Sequence, residues 1–234
     1  CAAEGLNCSL TGTAEGVRGF CKALRAWNAL FEETDFKLTD GIPASRGFKA
    51  LTIRKTTELV AYGLPGKAAP QLSQSKAEHV EATDFHEIMK EPNTVMIDVR
   101  NAYESAIGHF VPPEGGAELI DPKMRNSHEF PKWLNDQNTQ QKLNGKKVMM
   151  YCTGGIRCER ATALLDQLEQ QSEGSFKTNG IVMVRGGIER YMRTFPEGGY
   201  WTGKNYLFDR RFEQQPECKP DSKLASEVES YCCV

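Results

Sequence analysis

Cys152 is the residue of this chain best placed to do chemistry. It follows the apolar run Val148-Met-Met-Tyr and precedes Thr-Gly-Gly-Ile-Arg157. A cysteine that ends a buried parallel strand lies where open α/β sheets bind ligands. Gly154 and Gly155 allow the loop to turn successive N–H groups inward, and the following helix adds its positive end. With the charge of Arg157, these features predict an accessible thiolate whose pKa lies below the free value of about 8.5.

Two interpretations of the cysteines follow from this layout. Cys152 could be a small buried hydrophobe, as many free cysteines are, but the order strand, Cys, Gly-Gly, Arg and helix favours a nucleophile. Cys158, six residues later, either resolves an oxidised or persulfidated Cys152 or packs against the sheet, and the sequence leaves both open. The active-site loop is predicted to consist of Thr153, Gly154, Gly155, Ile156 and Arg157.

The length of this loop separates two chemistries. Cys152 to Arg157 reads Cys-x4-Arg, one residue shorter than the Cys-x5-Arg loop that phosphatases wrap around a phosphate. A tighter ring of amides suits a single terminal sulfur better than a tetrahedral oxyanion. The spacing therefore disfavours a cysteine phosphatase.

A second motif surrounds Asp98-Val-Arg100 and Glu104. Asp98 and Arg100 end a predicted strand, and Glu104 opens the next turn, so we expect an Arg100–Glu104 ion pair that fixes the loop. Asp98 is expected to face the pocket. We interpret His109 as a packing and hydrogen-bonding residue rather than a general base.

Two regions of different pattern position these residues. Apolar strands over 94–98, 147–151 and 180–184 alternate with helices over 84–90, 158–170 and 188–193, which is typical of a parallel sheet buried on both faces. The earlier region reads β–α–β–β, with a helix over 15–31 and extended segments over 47–55 and 58–62, before a Gly/Pro-rich linker over 63–75. We divide the chain into an α+β domain (1–72), an α/β domain (73–212) and a polar tail (213–234).

Composition excludes several classes of protein. The 234 residues include 29 Lys and Arg against 31 Asp and Glu, so the net charge of −2 gives no general attraction to nucleic acid. No apolar run reaches the roughly 18 residues of a membrane helix, and we expect neither a membrane nor DNA as a partner. Eight unevenly spaced cysteines indicate a reducing compartment, cytoplasmic or organellar, rather than secretion.

One local segment carries positive charge. Between Gly41 and Ala77, six basic residues face a single acid. Lys49, Arg54 and Lys55 are candidate RNA-binding residues, and Phe48 and Tyr62 could stack on bases, with a solvated strand edge as the alternative. No cofactor motif is evident. Three further thiols near the C-terminus are too few for a structural zinc site, so no metal is predicted. They are Cys218, Cys232 and Cys233.

Three motifs together resemble the rhodanese (sulfurtransferase) domain. They are Asp98-Val-Arg with Gly108-His109, then Tyr151-Cys-Thr-Gly-Gly-Ile-Arg157, then Arg185-Gly-Gly-Ile-Glu-Arg-Tyr191. Three further segments are similar to the TrhO/YceA family of tRNA uridine hydroxylases and its eukaryotic relatives, the rhodanese-like domain-containing proteins. They are the continuation Cys158-Glu, Ala3-Glu-Gly-Leu-Asn7 and Trp201-Thr-Gly-Lys-Asn-Tyr-Leu-Phe-Asp-Arg210.

The resemblance implies an acylphosphatase- or ferredoxin-like α+β domain followed by a rhodanese domain. Because the family's opening strand and helix are missing and the sequence begins at Cys1, we expect an N-terminally truncated sequence. The resemblance also implies oxygen-dependent 5-hydroxylation of the wobble uridine of tRNA, with Cys152 at the position of the active-site cysteine, which carries a persulfide in sulfurtransferases. A thiosulfate-type sulfurtransferase fed by a small sulfane-sulfur donor, and a non-catalytic binding module, remain the alternatives.

Overall fold

In the described residues, seven short β-strands form two sheets. The structure is a computed structural model that describes residues 1–32, 34, 36–41, 43–207 and 214–216, with the side chain of Lys67 left out. The strands are β1 (Glu78–Val80), β2 (Thr94–Asp98), β3 (Gly108–Phe110), β4 (Glu118–Ile120), β5 (Lys147–Tyr151), β6 (Ile181–Val184) and β7 (Trp201–Gly203). Five of them form a parallel sheet in the order β1-β6-β5-β2-β4, while β3 and β7 form an antiparallel pair.

The described residues form seven α-helices. They are α1 (Ala14–Trp27), α2 (Ala82–Ile88), α3 (Ala102–Ile107), α4 (Glu129–Leu134), α5 (Gln137–Leu143), α6 (Ile156–Gln171) and α7 (Gly187–Thr194). Helices α2 and α7 pack on one face of the parallel sheet, and α4, α5 and α6 pack on the other. Successive strand residues point to opposite faces, so Met150 packs with α4, α5 and α6, whereas Met149 packs with α2 and α7. The predicted parallel sheet flanked by helices is confirmed.

The continuous apolar runs explain why β2 and β5 form the centre of the sheet. All five residues of β2 and four of the five in β5 are buried. Burying each large apolar side chain contributes roughly 1.5–3 kcal/mol. The register pairs Asp98 with Tyr151, so both strands end at the same edge of the sheet. The Cys152 loop and the Asp98–Arg100 motif are therefore neighbours.

The N-terminal region, residues 1–75, differs from the α+β unit expected there. Helix α1 forms, and the Thr13 hydroxyl accepts a hydrogen bond from the Gly16 N–H at its start. The strands expected over 47–55 and 58–62 do not form; in the described part of this region only the isolated bridge between Ala2 and Gly5 has β pairing. The division at residue 72 stays a prediction.

Packing explains why these extended segments pair with no sheet. Leu51 and Ile53 are 76% and 75% exposed, so the first segment has no apolar surface to cover it. Val60 and Tyr62 are buried in the core on the α4–α6 side of the sheet instead, so Tyr62 does not offer the base-stacking surface expected of it. The predicted linker ends against α6, where Asp166 accepts hydrogen bonds from the Ser75 hydroxyl at 2.9 Å and the Lys76 N–H at 2.6 Å.

Two further expectations concern membranes and the tail. None of the described helices is long and apolar enough to cross a membrane. Apart from residues 214–216, the predicted polar tail lies outside the described residues, and Cys218, Cys232 and Cys233 lie there with it. Gln214 forms a β-bridge with Asn205.

Candidate active site

Cys152 follows β5 directly, and its sulfur is held by the loop that leads into α6. The Gly155 N–H donates a hydrogen bond to Cys152 Sγ at 3.1 Å. Gly155 has a φ of 102°, a conformation that a residue with a Cβ rarely adopts, so glycine allows the loop to close here. Of the loop amides predicted to turn inward, the Gly155 N–H reaches the sulfur.

Several groups compete to set the charge of this sulfur. Burial by itself raises the pKa of Cys152, but the hydrogen bond from the Cys158 thiol, the charge of Arg157 and the N–H groups of Cys158 and Gly155 outweigh it. The net effect holds the pKa of Cys152 well below its usual value. Burial, followed by the neighbouring Cys152, raises the pKa of Cys158 well above its usual value. Cys152 is therefore the more acidic of the two cysteines.

The expectation that the Cys152 sulfur is accessible is wrong for this conformation. Cys152 is only 1% exposed and lies in the same core cluster as Val60 and Tyr62 from the N-terminal region. Lys37 donates a hydrogen bond from Nζ to the Gly154 carbonyl at 2.9 Å. Because the N-terminal region packs beside the loop, a reagent reaches the sulfur only after the loop or this region moves.

Arg157 lies beside the loop in a bidentate ion pair with Glu104. Its Nη1 and Nη2 donate to the two carboxylate oxygens at 2.6 and 2.8 Å, and Nη2 also donates to the Thr153 hydroxyl at 3.1 Å. Glu104 is fully buried at the first turn of α3. The ion pair therefore connects α3 to the start of α6 and directs part of the Arg157 charge away from the sulfur.

The Arg100–Glu104 ion pair expected from the sequence is wrong. Arg100 pairs instead with Asp98, through Nε to Oδ1 at 2.8 Å and Nη2 to Oδ2 at 2.6 Å. The Tyr151 hydroxyl donates to the same carboxylate at 2.8 Å. Since both oxygens of Asp98 accept hydrogen bonds and the residue is fully buried, it stabilises the strand ends and does not face an open pocket.

Arg100 also holds the chain that follows α3. Its Nη2 donates to the Gly108 carbonyl at 2.7 Å, and its guanidinium lies 5.5 Å from the Tyr151 ring centre and 5.2 Å from that of Trp201. His109 accordingly acts as a hydrogen-bonding residue, with Nδ1 3.1 Å from the Ser105 carbonyl. Asp98 and Arg100 are thus positioning residues behind the loop.

A second glycine pair, Gly186-Gly187, supports the loop from the start of α7. The N–H of Ile188 donates to the Cys152 carbonyl at 3.0 Å, and that of Glu189 to the Thr153 carbonyl at 3.2 Å. A Cβ on Gly187 would lie 2.6 Å from the Cys152 carbonyl oxygen, so no side chain fits. The sequence does contain a signal for this contact, the Gly-Gly pair before a helix. Sequence reasoning did not assign this pair a role in supporting the Cys152 loop.

Arg160 connects α6 to the N-terminal region and was missed by sequence reasoning. It is 3% exposed and donates to both oxygens of Glu4, at 2.8 and 2.7 Å, and to Glu58 at 2.7 Å. Its guanidinium lies 5.1 Å from the centre of the Tyr62 ring. Glu58 also accepts hydrogen bonds from the N–H groups of Tyr62 and Gly63 at 3.1 and 2.9 Å. We call Arg160, Glu4, Glu58 and Tyr62 the Arg160 cluster.

Lys37 and Glu189 also lie beside the loop without having been predicted. Lys37 Nζ is 3.6 Å from the Glu189 carboxylate, and burial raises the pKa of Glu189 despite this neighbour. A single lysine in an irregular segment gives no signal that it reaches a loop more than a hundred residues away in the chain.

The remaining predicted residues fall into two groups. Ile156 is the half-buried first residue of α6, and Cys158 is the fully buried third residue of the same helix. Lys49, Arg54 and Lys55 are exposed in the N-terminal region, and their role with RNA stays a prediction. Within the described part of the chain, no group of three His, Cys, Asp or Glu side chains is placed to hold a metal ion.

Comparisons with known proteins agree with this architecture. Residues 81–194 match the rhodanese-like domain family. The chain is 36% identical over 223 residues to Rhodanese-like domain-containing protein 6 of Arabidopsis thaliana, covering 89% of this chain and 36% of that protein. It is 35% identical over 213 residues to the tRNA uridine(34) hydroxylase of Enterococcus faecalis, covering 90% of this chain and 60% of that protein.

A solved structure gives a weaker likeness. The crystal structure of a Saccharomyces cerevisiae homolog of single-domain rhodanese and the Cdc25 phosphatase catalytic domain matches with a TM-score of 0.41 and 18% identity, over 58% of this chain and 91% of that one. The chain spans less than two thirds of the length of both curated relatives. The match to the rhodanese-like domain family covers residues 81–194, and over about 90% of its length the chain is similar to the tRNA uridine(34) hydroxylase of Enterococcus faecalis.

Proposed function

We propose that this protein modifies tRNA by hydroxylating the wobble uridine, with Cys152 as its reactive centre. The choice of substrate comes from the relative named tRNA uridine(34) hydroxylase. The similarity covers 90% of this chain and so extends well beyond residues 81–194 into the N-terminal region. A substrate assignment that rests on both regions is stronger than one that rests on the rhodanese-like domain alone.

One observation carries the choice of Cys152: the Gly155 N–H points at its sulfur from 3.1 Å. A main-chain donor at this distance stabilises an anionic sulfur, which is the nucleophilic form of cysteine. Cys158 and Arg157 support the same charge state. The loop Thr153 to Arg157 then serves to hold the sulfur, while Asp98 and Arg100 hold the strand ends beneath it.

The N-terminal region is the proposed contact surface for tRNA. Lys49, Arg54 and Lys55 are exposed, and Phe48 is 53% exposed in the same segment. Phosphate contacts from such cations supply affinity that does not depend on sequence, and aromatic rings stack on unpaired bases. Lys37 would extend the positive charge to the edge of the Cys152 loop.

A sulfurtransferase is the second candidate, and the Arg157–Glu104 ion pair favours it over a phosphatase. Two guanidinium nitrogens of Arg157 already bind a carboxylate, which weakens its attraction for a phosphate dianion. The N–H of Gly155, which points at the sulfur, suits the terminal sulfur of a persulfide. A non-catalytic module is disfavoured because it needs neither the lowered pKa of Cys152 nor the glycine contact at Gly187.

The test is the level of hydroxylated wobble uridine in cells that lack the protein and are complemented with variants. Cys152→Ser should lower the modification at least a hundredfold, because a buried serine hydroxyl stays protonated at neutral pH. Cys21→Ser, which changes another buried cysteine on α1, serves as the matched control and should restore wild-type levels. A Cys152→Ser variant with full modification would remove Cys152 from the mechanism.

The second candidate has its own readout. The purified protein, incubated with thiosulfate, should release sulfite if Cys152 accepts the sulfane sulfur. Sulfite release together with an unchanged nucleoside profile in cells lacking the protein would replace the hydroxylase with the sulfurtransferase.

A further inference from the structure

One peptide unit of the Cys152 loop is bound from both of its ends. This unit consists of the Gly154 carbonyl and the Gly155 N–H. The N–H donates to Cys152 Sγ at 3.1 Å, and the carbonyl accepts a hydrogen bond from Lys37 Nζ at 2.9 Å. A trans peptide is planar, and its C=O and N–H point in opposite directions. A group that fixes the direction of the carbonyl therefore also fixes the direction of the N–H.

The local backbone does not by itself select this orientation of the peptide. Glycine stands on both sides of it, and glycine adopts positive and negative φ about equally well. Turning the peptide over would change the φ of Gly155 from its present 102° to a negative value. The Gly154 carbonyl would then point at the sulfur and destabilise the anion that the N–H stabilises. The orientation of the peptide therefore depends on what binds its carbonyl.

Lys37 is held at this carbonyl by contacts on two sides. Its ammonium lies 3.6 Å from the Glu189 carboxylate on α7, and the two side chains are only 24% and 22% exposed. Its own segment is connected to α1, because Arg18 Nη2 donates to Asp40 Oδ2 at 2.8 Å. A Cβ on Gly154 would lie 2.7 Å from Lys37 Nζ, so a glycine at this position allows the ammonium to approach.

We propose that Lys37 is a positioning residue, which binds the Gly154 carbonyl and thereby keeps the Gly155 N–H pointed at the Cys152 sulfur. The proposal rests on the reactive centre proposed above at Cys152. An ammonium that binds a carbonyl also polarises the peptide, so the N–H of the same unit becomes a stronger donor. The N-terminal region thus contributes to the reactive form of the sulfur and does not only cover it.

Other groups also act on the charge of Cys152, and the test has to separate them from Lys37. They come from α6, α7 and the N-terminal region, and they are Arg157, Cys158, Glu189 and Tyr62. Salt separates the two ways in which Lys37 itself can act. At 1 M salt the Debye length is about 3 Å, which screens the charge of a partly exposed lysine but does not turn a peptide over.

The experiment is an ultraviolet titration of the Cys152 thiolate in the full chain, at low and at molar salt. Each variant is compared with the same variant carrying Cys152→Ser. Lys37→Met should raise the pKa of Cys152 by about one unit or more at both salt concentrations, because the thiolate loses its oriented donor. Lys22→Met, which removes an exposed lysine from α1, is the matched control and should titrate like the wild type.

Gly154→Ala tests the same contact from the other side. The added methyl group displaces the Lys37 ammonium from the carbonyl, so this variant should also raise the pKa of Cys152. Adding Lys37→Met to it should cause little further change, since both substitutions remove one interaction. In isotope-labelled protein, the amide resonance of Gly155 should follow the ionisation of Cys152 in the wild type and follow it weakly in Lys37→Met. Thermal melting checks that every variant is folded.

A Lys37→Met variant that titrates like the wild type would overturn the proposal. A shift that disappears at molar salt would do so as well, since it would come from charge alone. The titration uses no tRNA, so its outcome is separate from the hydroxylase test. A wild-type Cys152 with an ordinary pKa would refute the reactive centre, whereas a lowered pKa that does not respond to Lys37 would refute only the role of Lys37.

Discussion

The rhodanese-like domain and the N-terminal region are stabilised in different ways. The domain has a five-stranded sheet with an apolar core on each face. In its described residues, the N-terminal region has one α-helix, short 3₁₀ turns and large exposed apolar side chains such as Trp27 at 72% and Leu30 at 86% exposure. It is held to the domain by Val60 and Tyr62, which are buried in the core on the α4–α6 side, and by the polar contacts of the Arg160 cluster. The reactive sulfur therefore lies in a core that the domain supplies and the end of the N-terminal region completes.

The largest effect is expected inside the domain, at Arg100. Arg100→Met leaves Asp98 buried without its cation, and breaking a buried ion pair in this way costs about 3–5 kcal/mol. Urea denaturation monitored by circular dichroism measures the free energy of unfolding. Arg125→Met breaks an exposed pair with Glu129 and should lower the free energy of unfolding far less, because water screens an exposed ion pair. Equal losses in the two variants would contradict the assignment of Arg100 as a structural centre of the domain.

A smaller and more local effect is expected at the junction of the two regions. Arg160→Met leaves Glu4 and Glu58 without their shared cation, at a cost of about 2–3 kcal/mol because both carboxylates are partly exposed. Hydrogen exchange should accelerate at residues 1–62 and stay unchanged in β2 and β5. Alkylation of Cys152 should also accelerate, since Tyr62 no longer packs firmly beside it. Uniform acceleration of exchange across both regions would mean that the N-terminal region is part of one cooperative core.

Sequence patterns predicted the two regions unequally, for a physical reason. Strands such as β2 and β5 are apolar throughout because both faces are covered, and such runs specify a strand from local sequence. The segment 47–55 has the composition of a strand, but strand formation depends on a hydrogen-bonding partner and an apolar surface to cover, which local sequence does not encode.

The same limit applies to the candidate site. Cys152 and its loop were predictable because the strand, the glycines and the helix are contiguous. The ion-pair partner of Glu104 was not predictable, because the sequence allows either Arg100 or Arg157 as the partner. Only the packed structure shows that Arg157 pairs with Glu104. Lys37 and Glu4 come from distant parts of the chain, and no local pattern marks them.

The weakest expected effect concerns tRNA binding by the N-terminal region. Binding should fall steeply with added salt, and charge reversal at Lys49 and Arg54 should lower the slope of log K against log salt by about 1 for each phosphate that the protein no longer neutralises. Fluorescence anisotropy with labelled tRNA measures this slope. Lys132→Glu, at an exposed position of α4 in the domain, is the control and should leave this slope unchanged. A slope insensitive to Lys49 and Arg54 would place the RNA-binding surface elsewhere.

The charge state of Cys152 depends on pH in a direction that the structure fixes. Its pKa is lowered in the folded protein, so its contribution to stability is complete above the unfolded pKa of about 8.5 and is lost as the pH falls through the lowered folded value. The difference in unfolding free energy between wild type and Cys152→Ser should therefore grow as the pH rises toward that unfolded value. Cys158→Ala, which removes a donor, should raise the pKa of Cys152.

Titration of the thiolate by its ultraviolet absorbance, with Cys152→Ser as the reference, tests this charge state most directly. We expect the wild type to retain the absorbance of one extra thiolate at pH values clearly below the ordinary thiol range of about 8–9. A Cys152 that gains its thiolate absorbance only within or above that range would contradict the assignment of a loop-stabilised sulfur anion.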